Sequence, residues 1–297
     1  MKSTITAQRA SAAQTKTARQ RRAAGLRPGK TLLTALMLAL GALLLLPFVW
    51  MISTSFKTPL EVFEFPVKWI PEQWIWRHHI NVWTGPMNFM SFYMNSLKVS
   101  VISTIGAVAF AALAAYGFSR VKFRGREPMF FIYLSMMMVP PQILFVPKFV
   151  LFEWMGIYNT HLALILPGMF TIFGVFLLRQ FFVTVPQEIS EAAFIDGAGH
   201  LRIFWHVILP LARAPLATLT ILDFSWHWND YENALIFLVD KGLYTVPLGL
   251  QNFVLENSVD YNGMMAAATA AMIPMILVFL IGQRFIIEGI ASGAVKG

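Results

Sequence analysis

The sequence predicts an all-α fold: a polytopic membrane protein with six transmembrane helices. Three observations carry that reading. Of the 297 residues, 57% are hydrophobic and only 13% charged, with a mean hydropathy of +0.61, whereas about a quarter of residues in an ordinary soluble domain are charged. Six apolar stretches, about 31–53, 93–118, 128–152, 162–182, 214–238 and 264–284, reach the roughly 20 residues that a helix needs to cross a bilayer core. Basic residues, finally, collect in alternate connecting segments, as the positive-inside rule requires of cytoplasmic loops.

The chain opens with a basic stretch, residues 1–30, holding Arg9, Lys16, Arg19, Arg21, Arg22, Arg27 and Lys30 among Ala, Thr and Gln. Large apolar groups are scarce there, so it reads as a disordered cytoplasmic tail. The apolar run behind it is too long for a signal-peptide core and offers no clean small-residue cleavage site, so the tail reads as retained. With this tail inside, Arg120, Lys122, Arg124, Arg126, Arg202 and Arg213 also fall inside, as do Arg284 and Lys296 near the end. The outer segments keep only Lys57, Lys68, Arg77, Lys148 and Lys241. Both termini are therefore expected in the cytoplasm, the last segment, 286–297, as a short tail. The net charge of +8 is a topology signal in this setting and does not call for a nucleic acid partner. The chain has no cysteine, which excludes disulfides and thiolate chemistry.

Residues 31–92 comprise the first span and an outer segment, about 54–92, that is too polar to cross lipid. It carries Trp69, Trp74, Trp76 and Trp83 among Pro59, Pro66 and Pro71. Indole rings suit the headgroup region, so this segment is expected to lie along the outer membrane surface. His78 and His79 are adjacent, do not share a helix face and have no third ligand at a metal-site spacing; no metal site is expected.

The transmembrane core is expected over 93–285. In its first helix Ala107, Ala111 and Ala115 recur every four residues beside Gly106 and Gly117, and the last helix opens with Met264, Met265, Ala266, Ala267 and Ala268. Small residues let helices approach closely in lipid, where packing rather than water exclusion drives association. Pro140, Pro141 and Pro147 must interrupt the third span. A broken helix at membrane depth is tolerated where it lines a cavity or is covered by protein.

Between the fourth and fifth spans lies a polar-bearing cytoplasmic loop, 186–213. Ser190 is a suitable N-cap for a short helix through Glu191, Ala192, Ala193 and Ile195. Gly197 and Gly199 supply a turn. A second helix from about Leu201 places Leu201, Phe204, Val207 and Ile208 on one face, and Pro210 and Pro215 end it or start the next segment. Two short helices joined by a tight turn make a compact knob, with Phe204 and Trp205 exposed or docked, and that shape wants a partner.

The fifth span is chemically the richest, holding Asp223, Trp226, His227, Trp228, Asn229, Asp230, Tyr231, Glu232 and Asn233. Carboxylates at the bilayer centre cost about 2.5–3.5 kcal/mol each, so they should face protein or a wet pathway. On a regular helix Trp226, Asn229 and Glu232 share a face, offering a stacking ring and two hydrogen-bonding groups to a hydroxyl-rich ligand. These are the candidate substrate-pathway residues, with Asp230 turned to a structural contact.

The loop resembles, nearly position for position, the signature loop of ABC importer permeases. Its Glu191-Ala192-Ala193, Gly197 and Val207-Ile208-Leu209-Pro210 match the pattern, with Val207 where Ile is usual. The resemblance extends over about 31–297. Ser55-Phe56-Lys57-Thr58-Pro59, Asn95-Ser96-Leu97, Ala114-Ala115-Tyr116, Phe123-Arg124-Gly125, Met138-Val139-Pro140-Pro141, Trp228-Asn229-Asp230 and the terminal Gly293-Ala294-Val295-Lys296-Gly297 look like the smaller permease of the maltose-type carbohydrate importers. It implies a type I ABC importer permease fold in the inner membrane and transport by alternating access. It also implies a homologous second permease, two ATP-binding cassette subunits that hold the ATP and Mg, and an extracytoplasmic solute-binding protein. Glu191, Ala192, Ala193, Asp196, Gly197, Leu209 and Pro210 would be the ATPase-coupling residues, and the chain itself would have no cofactor and no catalytic residue. One departure stands out: Tyr231-Glu232-Asn233-Ala234 follows where relatives carry large apolar residues and Pro.

Other readings compete. Residues 24–31 satisfy a loose Walker A pattern, with Ala24 in place of the first Gly, but no strand precedes it and a membrane span follows. A proton-coupled secondary carrier would use Asp223 or Asp230 as its proton site. An intramembrane hydrolase would need a motif such as His-Glu-x-x-His or Gly-x-Ser-x-Gly, and neither occurs.

Overall fold

The computed structural model describes residues 28–86, 88–255 and 260–294, and every regular element among them is helical. Most of the predicted basic tail, 1–27, lies outside the described residues, as do 295–297. The chain divides into two units, Met1–Trp50 and Met51–Gly297. Of the first, the described part is the apolar body of helix α1 (Pro28–Thr54), which begins three residues before the predicted span and carries exposed Leu38 and Leu44.

In the second unit, α2 (Arg77–Thr84) lies in the outer segment and α3 (Phe89–Arg120) is the long second span. The third span is broken: α4 (Arg126–Ser135) runs into a 3-10 turn, and α5 (Phe145–Trp154) follows a second one, at a bend of 92°. The break falls at Val139 and Pro140, which are extended. Pro147 does not interrupt α5, contrary to expectation. It sits in the first turn, where its missing N–H has no intrahelical acceptor to lose.

The fourth span joins α6 (Leu162–Gly168) to α7 (Ile172–Thr184), whose first turn is capped by Thr171 Oγ1 accepting from Gly174 N at 3.1 Å. After the loop that follows α7, which contains α8 (Gln187–Ile195), α9 (His200–Ile203) and α10 (Leu209–Leu211), comes α11 (Arg213–Trp228). The predicted fifth span, 214–238, is not one helix. It stops at Trp228, and the separate α12 (Glu232–Phe237) precedes α13 (Val246–Leu255). The last helix, α14 (Tyr261–Ala294), runs through most of the expected C-terminal tail.

Small residues set the helix spacing. Ala107, Ala111 and Ala115 are 0–1% exposed on α3, and α3 packs along α7 and α11. A Cβ on Gly174 would stand 3.0–3.1 Å from Leu219 Cδ1 and Ala111 Cβ, so glycine there permits a three-helix approach. Among the described residues three buried clusters fill the unit. One joins α3, α7, the loop and Leu219 of α11. Another joins Phe89, Phe92, Phe224 and Trp228 to Ala266 and Ala267 of α14, and the third gathers Phe152, Leu164 and Phe237.

Polar residues, some of them in the short motifs quoted above, serve as stitches. Asn262 Nδ2 donates to Thr54 O and Lys57 O, both at 2.9 Å, tying the outer segment to α14. Asn95 Nδ2 reaches Gly242 O and Tyr244 O, while Ser96 Oγ accepts from Val246 N at 2.7 Å. Trp228 Nε1 donates to Ala271 O at 3.0 Å. In the outer segment Lys57 is fully buried, its Nζ donating to Lys68 O, and burial pushes its pKa down. Trp69, Trp74 and Trp76 are half-exposed or more.

Candidate functional site

The loop between α7 and α11 is built as a rigid knob. Arg120, the last residue of α3, donates through Nη2 to Phe182 O (2.6 Å) and Val185 O (2.5 Å), satisfying carbonyls at the end of α7. Helix α8 then starts after Pro186, so Ser190 is not its N-cap. It lies buried inside the helix, because the helix begins at Gln187 with Glu188 in its first turn.

The end of α8 explains Ala193 and Gly197. Gly197 takes φ +82°, its N–H donates to Phe194 O at 3.0 Å, and Ala198 N–H donates to Ala193 O at 2.9 Å. This pair of bonds is a Schellman ending, with glycine at the left-handed position. Ala193 and Ala198, the two residues joined by its longer bond, both pack against the α3–α7 core.

The second half of the knob departs from the predicted helix. After α9 the chain forms a π turn, Phe204–Ile208, with Leu209 N bonded to Phe204 O. Pro210 has no N–H to give and its ring crowds the carbonyl four residues back, which accounts for an irregular turn directly before it. The π turn also breaks the expected single face: Phe204 and Ile208 are buried, whereas Leu201 is 70% exposed. Ile203, Phe204 and Ile208 plug into the α3–α7 core, where the Tyr116 and Phe204 rings stand 5.3 Å apart. At Ala212 the chain bends by 82° into α11.

The outer face of the knob is apolar as well as charged. Ile195 is 87% exposed, beside exposed Glu191, Ala192, Asp196 and Gly197, whereas Trp205, 62% exposed, borders a pocket lined by Thr104 and Val108 of α3 and Leu216 of α11. Leu209 is half-buried and Pro210 exposed.

The structure does not assemble Trp226, Asn229 and Glu232 on one helix face, because α11 ends between them. Asn229 caps α11 and its Nδ2 returns to Ser225 O at 2.8 Å. Trp226, half-exposed, meets Phe173 of α7 edge-on at 5.5 Å. Glu232 Oε2 accepts from Gln142 Nε2 at 3.3 Å, so it turns to the break in the third span. Asp230 makes the local break: Oδ1 accepts from Asn233 N (3.1 Å) and both its oxygens accept from Asn233 Nδ2 (3.0 Å). Gln142 and Gln251, the latter accepting from Tyr231 OH at 2.6 Å, belong to this polar region and were not singled out from sequence. The prolines beside Gln142 were the available signal. Deeper in α11, Asp223 is 1% exposed and its Oδ2 has no partner among the described residues.

His78 and His79 are each engaged locally, with Lys57 O and Ser55 Oγ, and the described residues contain no group of three or more side chains placed to hold a metal.

Apolar helices, two bent helix pairs and a rigid knob between the fourth span and α11 are the architecture of a polytopic helical membrane protein. Residues 107–291 match the family described as the binding-protein-dependent transport system inner membrane component, and the chain belongs to that family. It is 35% identical over 257 residues to the inner membrane ABC transporter permease protein YcjP of Escherichia coli, covering 85% of this chain and 91% of that one. It is 32% identical over 255 residues to the melibiose/raffinose/stachyose import permease protein MelC of Bacillus subtilis, with 85% and 91% covered. The fold is similar to that of a bacterial ABC transporter involved in the import of the polysaccharide alginate, with a TM-score of 0.77, 24% identity, and 86% of this chain and 95% of that one covered. The chain is thus a multi-pass membrane permease subunit.

Proposed function

We propose that this permease subunit serves an ATP-driven importer of a sugar or oligosaccharide, with the 187–211 knob as the seat of a separate ATPase subunit. The observation that carries this is the knob itself: a glycine-dependent turn presents an exposed apolar and acidic tip, while the base is locked into the transmembrane core. An exposed apolar tip on a rigid base is what a docking surface requires. The saccharide reading rests on the relatives that carry melibiose, raffinose and stachyose, and on the aromatic, amide and carboxylate groups around 226–232.

In this account ATP and Mg are held by two partner ATPases, and this chain supplies no catalytic residue and no cofactor. A second, homologous permease completes the pathway, an outer solute-binding protein delivers the cargo, and both termini lie in the cytoplasm. When the ATPases close, Glu191, Ala192, Ala193, Asp196 and Gly197 are pushed as one body with Leu209 and Pro210. Ile203, Phe204 and Ile208 pass that displacement to α3 and α7, and the bend at Ala212 passes it to α11. Trp226, Asn229 and Glu232 then line the route on separate supports, so relative motion of α11, α7 and the third span changes their spacing.

A proton-coupled carrier is the second reading, favoured by buried Asp223 with its unpartnered oxygen. Crosslinking tests the first. The chain has no cysteine, so Ala192→Cys, on the exposed side of α8, reports without background. It should crosslink to a co-expressed ATPase subunit, while Arg77→Cys on the outer segment should not. Equal yields at both positions, or none at Ala192→Cys, would refute the docking role.

A further inference from the structure

Between the knob and the end of α3 is a cleft that shares Glu191 with the docking surface but whose basic and hydroxyl donors ATPase docking leaves unexplained. It has a volume of about 300 Å³ and is lined by Arg120, Lys122, Gln187, Ser190, Glu191 and His200. Lys122 and Gln187 also border a second, open basin of about 670 Å³ that holds Arg124 and Arg126. The two spaces therefore adjoin along a strip of basic residues.

Several groups in these two spaces are donors without acceptors among the described residues. Arg120 uses Nη2 to hold the end of α7, but its buried Nε has no partner among the described residues. Ser190 is 7% exposed and its Oγ likewise has no partner among the described residues. Lys122 and Arg124 are exposed and make no hydrogen bond or ion pair with the described residues. By contrast, Arg126 and Arg179 are already paired with Glu127 at 2.8–2.9 Å, so they are spoken for. His200 Nδ1 is hydrogen-bonded to Tyr116 OH at 3.2 Å. Glu191 is the single carboxylate on the cleft wall, set against the two cations Arg120 and Lys122.

A buried, unpaired guanidinium N–H and a buried hydroxyl are costly unless a ligand or water answers them. A tetrahedral oxyanion answers both, since its several oxygens accept from Arg, Lys, Ser and Gln amide donors at once. We propose that this cleft binds a phosphate-type oxyanion, supplied by the headgroup of an anionic phospholipid or by free phosphate. The inference rests on the cleft and its donors and does not depend on the cargo or on ATPase docking. The cleft lies at the C-terminal ends of α3 and α7, where the two apolar helices stop, so a lipid headgroup and free phosphate can both reach it.

The test uses the complete assembled complex in phosphatidylcholine nanodiscs with and without added phosphatidylglycerol. Retained phosphatidylglycerol is counted by native mass spectrometry, and inorganic phosphate binding is followed by phosphorus NMR. Wild type should retain phosphatidylglycerol or bind phosphate; Lys122→Gln should weaken this about fivefold, the usual effect of one basic residue near an anionic surface. Ser190→Ala should weaken it further without altering phosphatidylcholine retention, and Arg77→Gln on the outer segment should change nothing. Displacement of the lipid by millimolar phosphate assigns the site to free phosphate; retention in its presence assigns it to lipid. Binding that neither Lys122→Gln nor Ser190→Ala affects, or no binding of either probe to the complex, overturns the proposal. Binding seen only when the ATPase is stripped away also overturns it, because a partner side chain would then be the natural occupant.

Discussion

Replacing Gly197 tests whether the knob works through its turn. The residue holds φ +82°, and a Cβ built on it would meet nothing within 4 Å, so any penalty comes from backbone conformation and not from collision. An ordinary L-residue in this left-handed region costs about 1–2 kcal/mol, and asparagine less. Gly197→Pro must leave φ +82° altogether, loses the N–H that bonds Phe194 O at 3.0 Å, and pushes Asp196 away from its φ −75°, ψ 5°. The conformational change and the lost bond together cost at least about 2–3 kcal/mol, a factor of roughly 30 or more in the population of the turned form. The assay is ATP-driven uptake by the reconstituted complex, with membrane insertion and ATPase co-purification measured in parallel. Uptake should fall in the order Gly, Asn, Ala, Pro, with insertion unchanged. A flat series, or wild-type uptake and co-purification in Gly197→Pro, would refute the reasoning.

Three other outcomes follow from the packing and capping described above. Gly174→Leu should lower the thermal midpoint of the purified complex, because overpacking against Leu219 and Ala111 costs about 1–3 kcal/mol; an unchanged midpoint would show that the helices can separate freely. Asp230→Leu should reduce assembled yield, losing a capping bond worth about 0.5–2 kcal/mol, whereas Trp226→Ala and Glu232→Leu should assemble and alter uptake or cargo preference; the reverse pattern would exchange their roles. In the outer segment, burial and then neighbouring His78 hold His79 below the usual histidine pKa. The unfolded chain therefore takes up a proton below about pH 6.5 that the folded segment resists, so stability is full above that pH and declines as pH falls. Limited proteolysis within 54–86 should accelerate on acidification, and His79→Phe should flatten that dependence; equal acid sensitivity in the variant would remove His79 as the cause.

Much of the architecture is written in the sequence because lipid imposes simple demands: long apolar runs, and small residues at 107, 111 and 115 of α3 where other helices approach. Pro140 and Pro141 marked the break in the third span for an equally simple reason, the missing N–H. Finer features depended on competition between neighbours. The apolar residues 234–238 made the fifth span look continuous, but Asp230 captures the N–H of Asn233 and ends the helix first. Pro147 looked disruptive and proved harmless at a helix start, and Ser190 looked like a cap but became a buried side chain once Pro186 set the start earlier. The π turn before Pro210 has no periodic signature at all. Glu232 finds Gln142, 90 residues away in sequence, a pairing no local pattern could disclose.

The most direct test of the central claim is to drive the chain by ATP or by a proton gradient. The complex is reconstituted with its ATPases and solute-binding protein, and labelled saccharide uptake is compared with uptake by this chain alone under an imposed pH difference. The account predicts uptake only with ATP, binding protein and all subunits present, and none from the chain alone. Saccharide accumulation by the isolated chain on the pH gradient, abolished by Asp223→Asn, would contradict it and establish a secondary carrier.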